Sequence, residues 1–156
     1  MGIEFRKAKL SDAERIYELA NYYAEKGLML PRARHAIYEN IRDFSVADSD
    51  GEVVGVGALH IMWHDLAEIR TLAVAESYMR KGIGKQIVTE LMVEGKALGI
   101  KKFFTLTYQT EFFAACGFAE EDKNNMPQKV WMDCINCSKF PNCDEVCMTR
   151  NVDAGD

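Results

Sequence analysis

The hydrophobic pattern changes period along this chain, and each change predicts an element. Ile3–Lys7 alternates apolar and polar positions, as a strand does. Ala13, Ile16, Tyr17, Ala20, Tyr23 and Ala24 then recur at helical spacing behind Ser11-Asp12-Ala13-Glu14, which has the form of a capping box, and Gly27 ends the helix. Past a loop holding Pro31, a second helix is expected over about 33–42, with Ile37 and Ile41 on one face. Two apolar runs, 44–48 and 52–60, flank Ser49-Asp50-Gly51 and predict a hairpin. Another strand is expected over 67–74. A long helix follows from Ile83, with Ile87, Val88, Leu91 and Met92 on one side and Gly99 as its stop. A strand over 101–107, a short helix over 111–116 and a last hairpin from 118–121 and 129–132 complete the order β-α-α-β-β-β-α-β-α-β-β. Strands in series at the front and alternation later imply an α/β class: a mixed sheet with helices on both faces.

Composition narrows the picture. A chain of 156 residues, 48% of them hydrophobic, suits one domain with a real core. A net charge of -5 leaves no broad basic face for nucleic acid. No apolar run approaches the roughly 20 residues of a membrane helix, and Met1-Gly2-Ile3-Glu4-Phe5-Arg6 lacks the apolar core of a signal peptide. The cytoplasm is therefore the expected location. Four of the five cysteines crowd into Cys134, Cys137, Cys143 and Cys147. In a reducing compartment such a cluster reads as a metal site, a structural zinc or an iron–sulfur group, rather than a disulfide framework. The expected organisation is one domain over 1–133 and a Cys-rich tail over 134–156 clipped by that metal.

Candidate chemistry centres on Met79-Arg80-Lys81-Gly82-Ile83-Gly84-Lys85, a basic glycine-rich loop between a strand and a helix. Unpaired N–H groups and the positive end of the helix favour an anion there. A P-loop would need a hydroxyl residue where Gln86 stands, and a dinucleotide fingerprint a glycine where Ile87 stands. The loop after Leu72-Ala73-Val74 instead resembles the acetyl-CoA loop of the GNAT superfamily of N-acetyltransferases, Gln/Arg-x-x-Gly-x-Gly/Ala, with Met79 departing from the pattern. Phe112-Phe113-Ala114-Ala115-Cys116-Gly117-Phe118 resembles that family's late segment. Phe113 stands where a tyrosine usually donates a proton to the leaving thiolate; Tyr108 and Cys116 are nearby alternatives. The resemblance implies the GNAT fold, with a mostly antiparallel sheet. It also implies acetyl-CoA bound by residues 72–74 and 79–85, and the backbone N–H near Leu72 polarising the thioester carbonyl.

The acceptor amine must lose a proton, and Glu68 on the strand before the loop is the expected general base, with His60 and His64 as alternatives. Leu28-Met29-Leu30-Pro31-Arg32-Ala33-Arg34 ends in two arginines, whose planar forks match carboxylates. With Val53-Val54-Gly55-Val56-Gly57-Ala58-Leu59, this pattern resembles the acetyltransferase domain of N-acetylglutamate synthases, in a short stand-alone form. The resemblance implies an amino-acid acceptor, L-glutamate first, in the opening step of arginine biosynthesis. Arg32, Arg34 and Arg70 would bind that acceptor, which would attack directly without an acetyl-enzyme. Glutamine, a protein N-terminus, another small amine, or a non-enzymatic CoA- or metal-sensing module are the alternatives. A small-molecule partner and a homodimer are expected; nucleic acid and membrane are not.

Overall fold

The computed structural model describes residues 2–126 and 145–152. In chain order the elements are β1 (Ile3–Lys7), α1 (Ala13–Glu25), α2 (Arg34–Glu39), β2 (Phe44–Ser49), β3 (Glu52–Trp63), β4 (Leu66–Val74), α3 (Ile83–Leu98), β5 (Lys102–Thr107), α4 (Thr110–Ala115), β6 (Ala119–Glu120) and β7 (Val146–Asn151). The strands form one sheet in the order β1-β2-β3-β4-β5-β7-β6. Every neighbouring pair is antiparallel except β4 and β5. The expected mixed, mostly antiparallel sheet with helices on both faces is the fold observed.

Local chemistry explains most element boundaries. Asp50 and Gly51 both take positive φ, 50° and 93°, the combination a tight hairpin needs between β2 and β3. At the start of α1 the structure corrects the capping expectation. Ser11 lies in a 3-10 turn, α1 begins after Asp12 with no side-chain cap bond, and the Asp12 Oδ2 instead accepts the Lys9 N–H at 2.7 Å at the head of that turn. Asp12 also holds Arg6 at 2.8 Å, and Arg6 bridges on to Asp48 at 3.0 Å. Through these charged bonds Arg6 ties β1, β2 and the entry to α1 together. The second helix is shorter than its periodicity suggests. It ends at Glu39, where the Asn40 side chain returns to the Ala36 carbonyl at 2.8 Å, and Ile41–Asp43 continues as a 3-10 turn.

Two apolar layers sandwich the sheet. On one face, Ile87, Leu91 and Met92 of α3 pack on Val54, Leu59, Ile69 and Phe103. On the other, Ile16 and Leu19 of α1 and Ile37 of α2 cover Val46, Val56 and Ala58. The seat of α3 is unusually close. A Cβ at Gly57 would stand 2.7 Å from Ile87 Cγ2, and one at Gly55 2.9 Å from Ile87 Cδ1. A third cluster, Leu66, Phe104, Met126 and Cys147, lies under the far half of the sheet. Cys147 belongs to β7, whose six residues pair with β5 over their whole length and then take β6 on the other edge. β6 thus finds its partner in 146–151; residues 129–132, expected to pair there, lie outside the described residues.

Candidate active site

The site begins where two parallel strands part. β4 and β5 are in register only at Leu66–Lys102, Ala67–Phe103 and Glu68–Phe104. Beyond them the Thr105 hydroxyl donates to the Ile69 carbonyl at 2.9 Å, and further along a cavity of about 230 Å³ opens between the strands. Residues 69–74 form one wall and 105–109 the other, with Tyr23, Met29, Gly84 and Phe112 among the residues closing it. The Tyr23 hydroxyl donates to the Val74 carbonyl, fixing α1 to the end of β4.

The β4 wall carries a bulge at its centre. Val56 pairs with Ala73 and Ala58 with Arg70, so Thr71 and Leu72 together oppose Gly57. Thr71 has φ 54°, a left-handed conformation that strains a β-branched residue. A bulge leaves backbone groups out of the ladder and re-aims side chains. Here it reverses the phase of the strand: Ile69 and Leu72 both pack toward α3, while Ala73 turns toward α1. Strain held in this way at a cavity wall is a hallmark of a working site.

At one end of the cavity stands the basic loop. Arg80 and Gly82 take left-handed φ of 64° and 80°, and Lys81 between them does not. Alternating handedness curls successive N–H groups toward one side into an anion-binding concavity. Gly82 is also the N-cap of α3, so the first N–H groups of that helix face the same way. Arg80 and Lys81 are exposed, Lys81 lying 5.2 Å from the centre of the Tyr78 ring. Gly84 has a different reason to be glycine: a Cβ there would stand 3.2 Å from the Phe112 ring. Met79 reaches the cavity wall, and its sulfur lies 3.7 Å from the Tyr23 hydroxyl. Lys85 points instead into a groove on the outer side of α3, beside Cys116 and Arg150.

The other end holds polar and charged groups. Glu68 and Arg70 lie on the same face of β4 and form an ion pair at 2.8 Å, with side chains only 12% and 15% exposed. Arg70 and Tyr108 line the cavity. Glu68 and Arg32 are not among the residues that line it: Glu68 is held by Arg70, and Arg32 stands behind the bulge, its Nε donating to Thr71 Oγ1 at 3.3 Å. Arg34 does not join them. It pairs with Glu14 at 2.7 Å, lies over the Tyr17 ring at 4.2 Å and is more than half exposed, all on the outside of α1. His60 sits opposite Glu68 on β3 and bonds Asp43 at 2.8 Å, whereas His64 is a solvent-facing turn residue. Sequence reasoning passed over Tyr23, Thr71 and Glu145, which also form the wall. Tyr23 read as one more core position, and nothing local marks a bulge or a residue whose strand, β7, was not foreseen.

Neither described cysteine is poised as a nucleophile. Cys116 opens on the outer groove, and burial pushes its thiol above the ordinary range. Cys147, expected as a fourth metal ligand, is instead a buried core residue whose thiol burial pushes up to about 11. Cys134, Cys137 and Cys143 lie outside the described residues, and among the described residues no three His, Cys, Asp or Glu side chains are grouped to hold a metal.

A basic, left-handed turn at a helix N-terminus, beside a slot between splayed strands and a strained bulge, suits a long cofactor with an anionic group at one end and its reacting group at the other. Residues 10–121 match the family model described as Acetyltransferase (GNAT) family. The chain therefore belongs to the GNAT family of acetyl-CoA-dependent N-acetyltransferases. It is 42% identical over 147 residues to an uncharacterized N-acetyltransferase of Chlorobaculum tepidum, covering 94% of this chain and 95% of that one. It is 40% identical over 129 residues to an amino-acid acetyltransferase of Mycobacterium tuberculosis, covering 81% of this chain and 74% of the relative. Among solved structures it resembles N-acetylglutamate synthase of Neisseria gonorrhoeae complexed with coenzyme A and N-acetyl-glutamate, with TM-score 0.88 and 25% identity. That match covers 98% of this chain but only 36% of the synthase chain. No helix among the described residues is long and apolar enough to cross a membrane.

Proposed function

We propose that this protein transfers the acetyl group of acetyl-CoA to the α-amine of an amino acid, L-glutamate first, as in the opening step of arginine biosynthesis. The observation that supports the reading is one cavity lined by Met79 and Gly84 of the basic loop and by Arg70 of β4, with Arg32 bonded to Thr71 of the same wall. Arginines at the acceptor end favour carboxylates and repel a polyamine. The amino-acid acetyltransferase relatives and the synthase structure with N-acetyl-glutamate support the same acceptor class.

In this reading the N–H groups of residues 80–84 hold the pyrophosphate, and the open wall from Leu72 to Val74 receives the arm that carries the thioester. The Leu72 N–H donates to the thioester carbonyl oxygen, where negative charge grows as the amine attacks. Glu68, as a carboxylate, takes a proton from the amine directly or through a water. The nitrogen lone pair forms the C–N bond, the C–S bond breaks, and the thiolate leaves with a proton from Tyr108. Phe113 has none to give: its ring is buried edge-on against Phe112 and Phe118. With Cys116 facing the outer groove, direct attack is preferred to an acetyl-enzyme. A structural zinc on Cys134, Cys137 and Cys143, a cytoplasmic location and a homodimer complete the proposal; metal analysis of protein purified without chelator tests the first.

The deciding experiment incubates the protein with acetyl-CoA and a mixture of amino acids, polyamines and peptides and reads products by mass spectrometry. N-acetylglutamate is the expected product. Acetylated polyamine beside unreacted glutamate would overturn the acceptor; no product from any amine would favour a CoA-sensing module.

A further inference from the structure

A second cavity lies outside the catalytic slot. It is a groove of about 570 Å³ on the outer side of α3, bounded by the end of α4 and by β7. Three cations line it, Lys85 and Lys96 of α3 and Arg150 of β7, and among the described residues no carboxylate does. None of the three forms an ion pair with a described residue. On a chain of net charge -5 the groove is a local reversal of sign. Arg150 is fixed in place. Its Nη1 donates to the Cys116 carbonyl at 2.9 Å and lies 3.8 Å from the Met92 sulfur. Gly117, at φ 91°, packs on the guanidinium: a Cβ there would stand 3.2 Å from Nη1 and 3.3 Å from Nε. The Nε and Nη2 donors make no hydrogen bond to a described residue. Lys85 and Arg150 both draw the Cys116 thiol down against the larger effect of burial, so the two charges converge on one place.

Converging cations with no carboxylate among them call for an anion of more than one charge. A phosphate monoester carries about -1.5 to -2 at neutral pH and three acceptor oxygens; a single carboxylate would leave most of the positive charge unbalanced. A pinned guanidinium with Nε and Nη2 still to bond presents the fork that phosphate oxygens match. We infer that this groove is a binding site for a phosphate monoester, with Arg150 as its fixed contact and Lys85 as its exposed one. The site stands apart from the turn at 79–84: Gly84 lines the catalytic slot and Lys85 the groove, so the first turn of α3 divides them. Two sources offer this chemistry. One is the 3′-phosphate of the CoA whose pyrophosphate lies against that turn, a source that rests on the cofactor placement proposed above. The other is a separate phosphate-bearing molecule.

Calorimetry tests the site with three titrants: CoA, 3′-dephospho-CoA, and adenosine 3′,5′-bisphosphate added to CoA-saturated protein. Each is titrated into wild type, Arg150→Gln, Arg150→Lys and Lys85→Gln. If the phosphate is the cofactor's own, Arg150→Gln weakens CoA about 10- to 100-fold and Lys85→Gln about 2- to 5-fold, while dephospho-CoA binds all four proteins alike. Arg150→Lys, which keeps the charge, then recovers part of the loss. If it belongs to a separate molecule, CoA affinity is the same throughout, and the bisphosphate binds CoA-saturated wild type but not CoA-saturated Arg150→Gln. Equal weakening of CoA and dephospho-CoA would overturn the assignment, since it would mark the cations as merely structural; so would variants that match wild type with every titrant. Lys85→Gln changes an exposed side chain, so it decides the matter if Arg150→Gln does not fold. The cofactor reading fails separately, as a wild type that binds neither CoA nor dephospho-CoA, and the bisphosphate then decides the groove alone.

Discussion

Replacing Gly82 by valine separates backbone strain from cofactor binding, because the same helix supplies its own control. Gly82 at the start of α3 and Gly99 just past its end both take left-handed φ, 80° and 101°, and at neither would a Cβ meet anything within 4 Å. Either substitution therefore forces an L-residue into that region at about 1–2 kcal/mol, with no packing penalty. For a chain of this size, each kcal/mol lowers Tm by about 2–4 °C, so both variants should lose about 2–8 °C. Only Gly82 sits in the concavity of 80–82. A side chain there occupies the space of the pyrophosphate and displaces it from two N–H donors, each worth about 1.5–3 kcal/mol to a charged acceptor. CoA affinity should fall about a hundredfold to ten-thousandfold in Gly82→Val and stay at the wild-type level in Gly99→Val. Calorimetric titration with CoA, beside thermal unfolding of all three proteins, measures both quantities. Equal CoA affinity in the two variants would refute the placement of the phosphates.

Arg32→Ala should raise the KM for glutamate by about 10-fold or more while CoA affinity is retained, and unchanged kinetics would remove Arg32 from the acceptor site. Tyr108→Phe should lower kcat with little change in either KM; a KM effect alone would assign it to binding instead of proton donation. Arg6 holds the Asp12 carboxyl below its ordinary range, chiefly through their hydrogen bond. That stabilisation is present above about pH 4, the ordinary carboxyl value, and is lost as pH falls through the lower folded value. Wild type should thus be more stable than Asp12→Asn at neutral pH, and the two should converge on acidification. A gap that stays constant down to acid unfolding would be the contrary result. Peptide mapping after alkylation at pH 8 should find Cys147 unlabelled until denaturant is added, and Cys147→Ser should leave any bound zinc in place.

The helices and the front hairpin were legible because their signals are local. Period and a glycine stop fix α3, and Asp-Gly fixes the turn before β3. The glycine-rich turn at 79–84 before α3 was legible for the same reason, since its signal lies in consecutive residues. What stayed hidden depends on partners distant in the chain. The bulge at Thr71–Leu72 exists only against Gly57, and Ala67–Val74 reads as an unbroken strand until that register is known. Asp12 turns to Lys9 and Arg6 ahead of α1 because β1 brings Arg6 between it and Asp48 of β2. Arg32 and Arg34 look equivalent two residues apart; the start of α2 sends one toward the bulge and the other to Glu14 on α1. Cys147 shared a spacing with three other cysteines, but β7 carries it into the core, and nothing in 146–151 alone announces a strand that parts β5 from β6.

The bare backbone at Gly55 and Gly57 has a consequence for catalysis at a distance. With no side chains of its own at these two positions, β3 lets Ile87 of α3 rest on its backbone, and β3 is the strand that faces the bulge. On the proposed placement of the cofactor, the helix start assigned to the phosphates and the strained turn assigned to the reacting carbonyl are therefore gauged from one common surface. The arm of the cofactor has a fixed length, so the thickness of that contact sets whether the acetyl group stops at Leu72 or short of it. A methyl group added at Gly57 would touch neither cofactor nor acceptor. It would lengthen the span the arm has to cross, making α3 a measuring stick whose zero is set by two missing Cβ atoms.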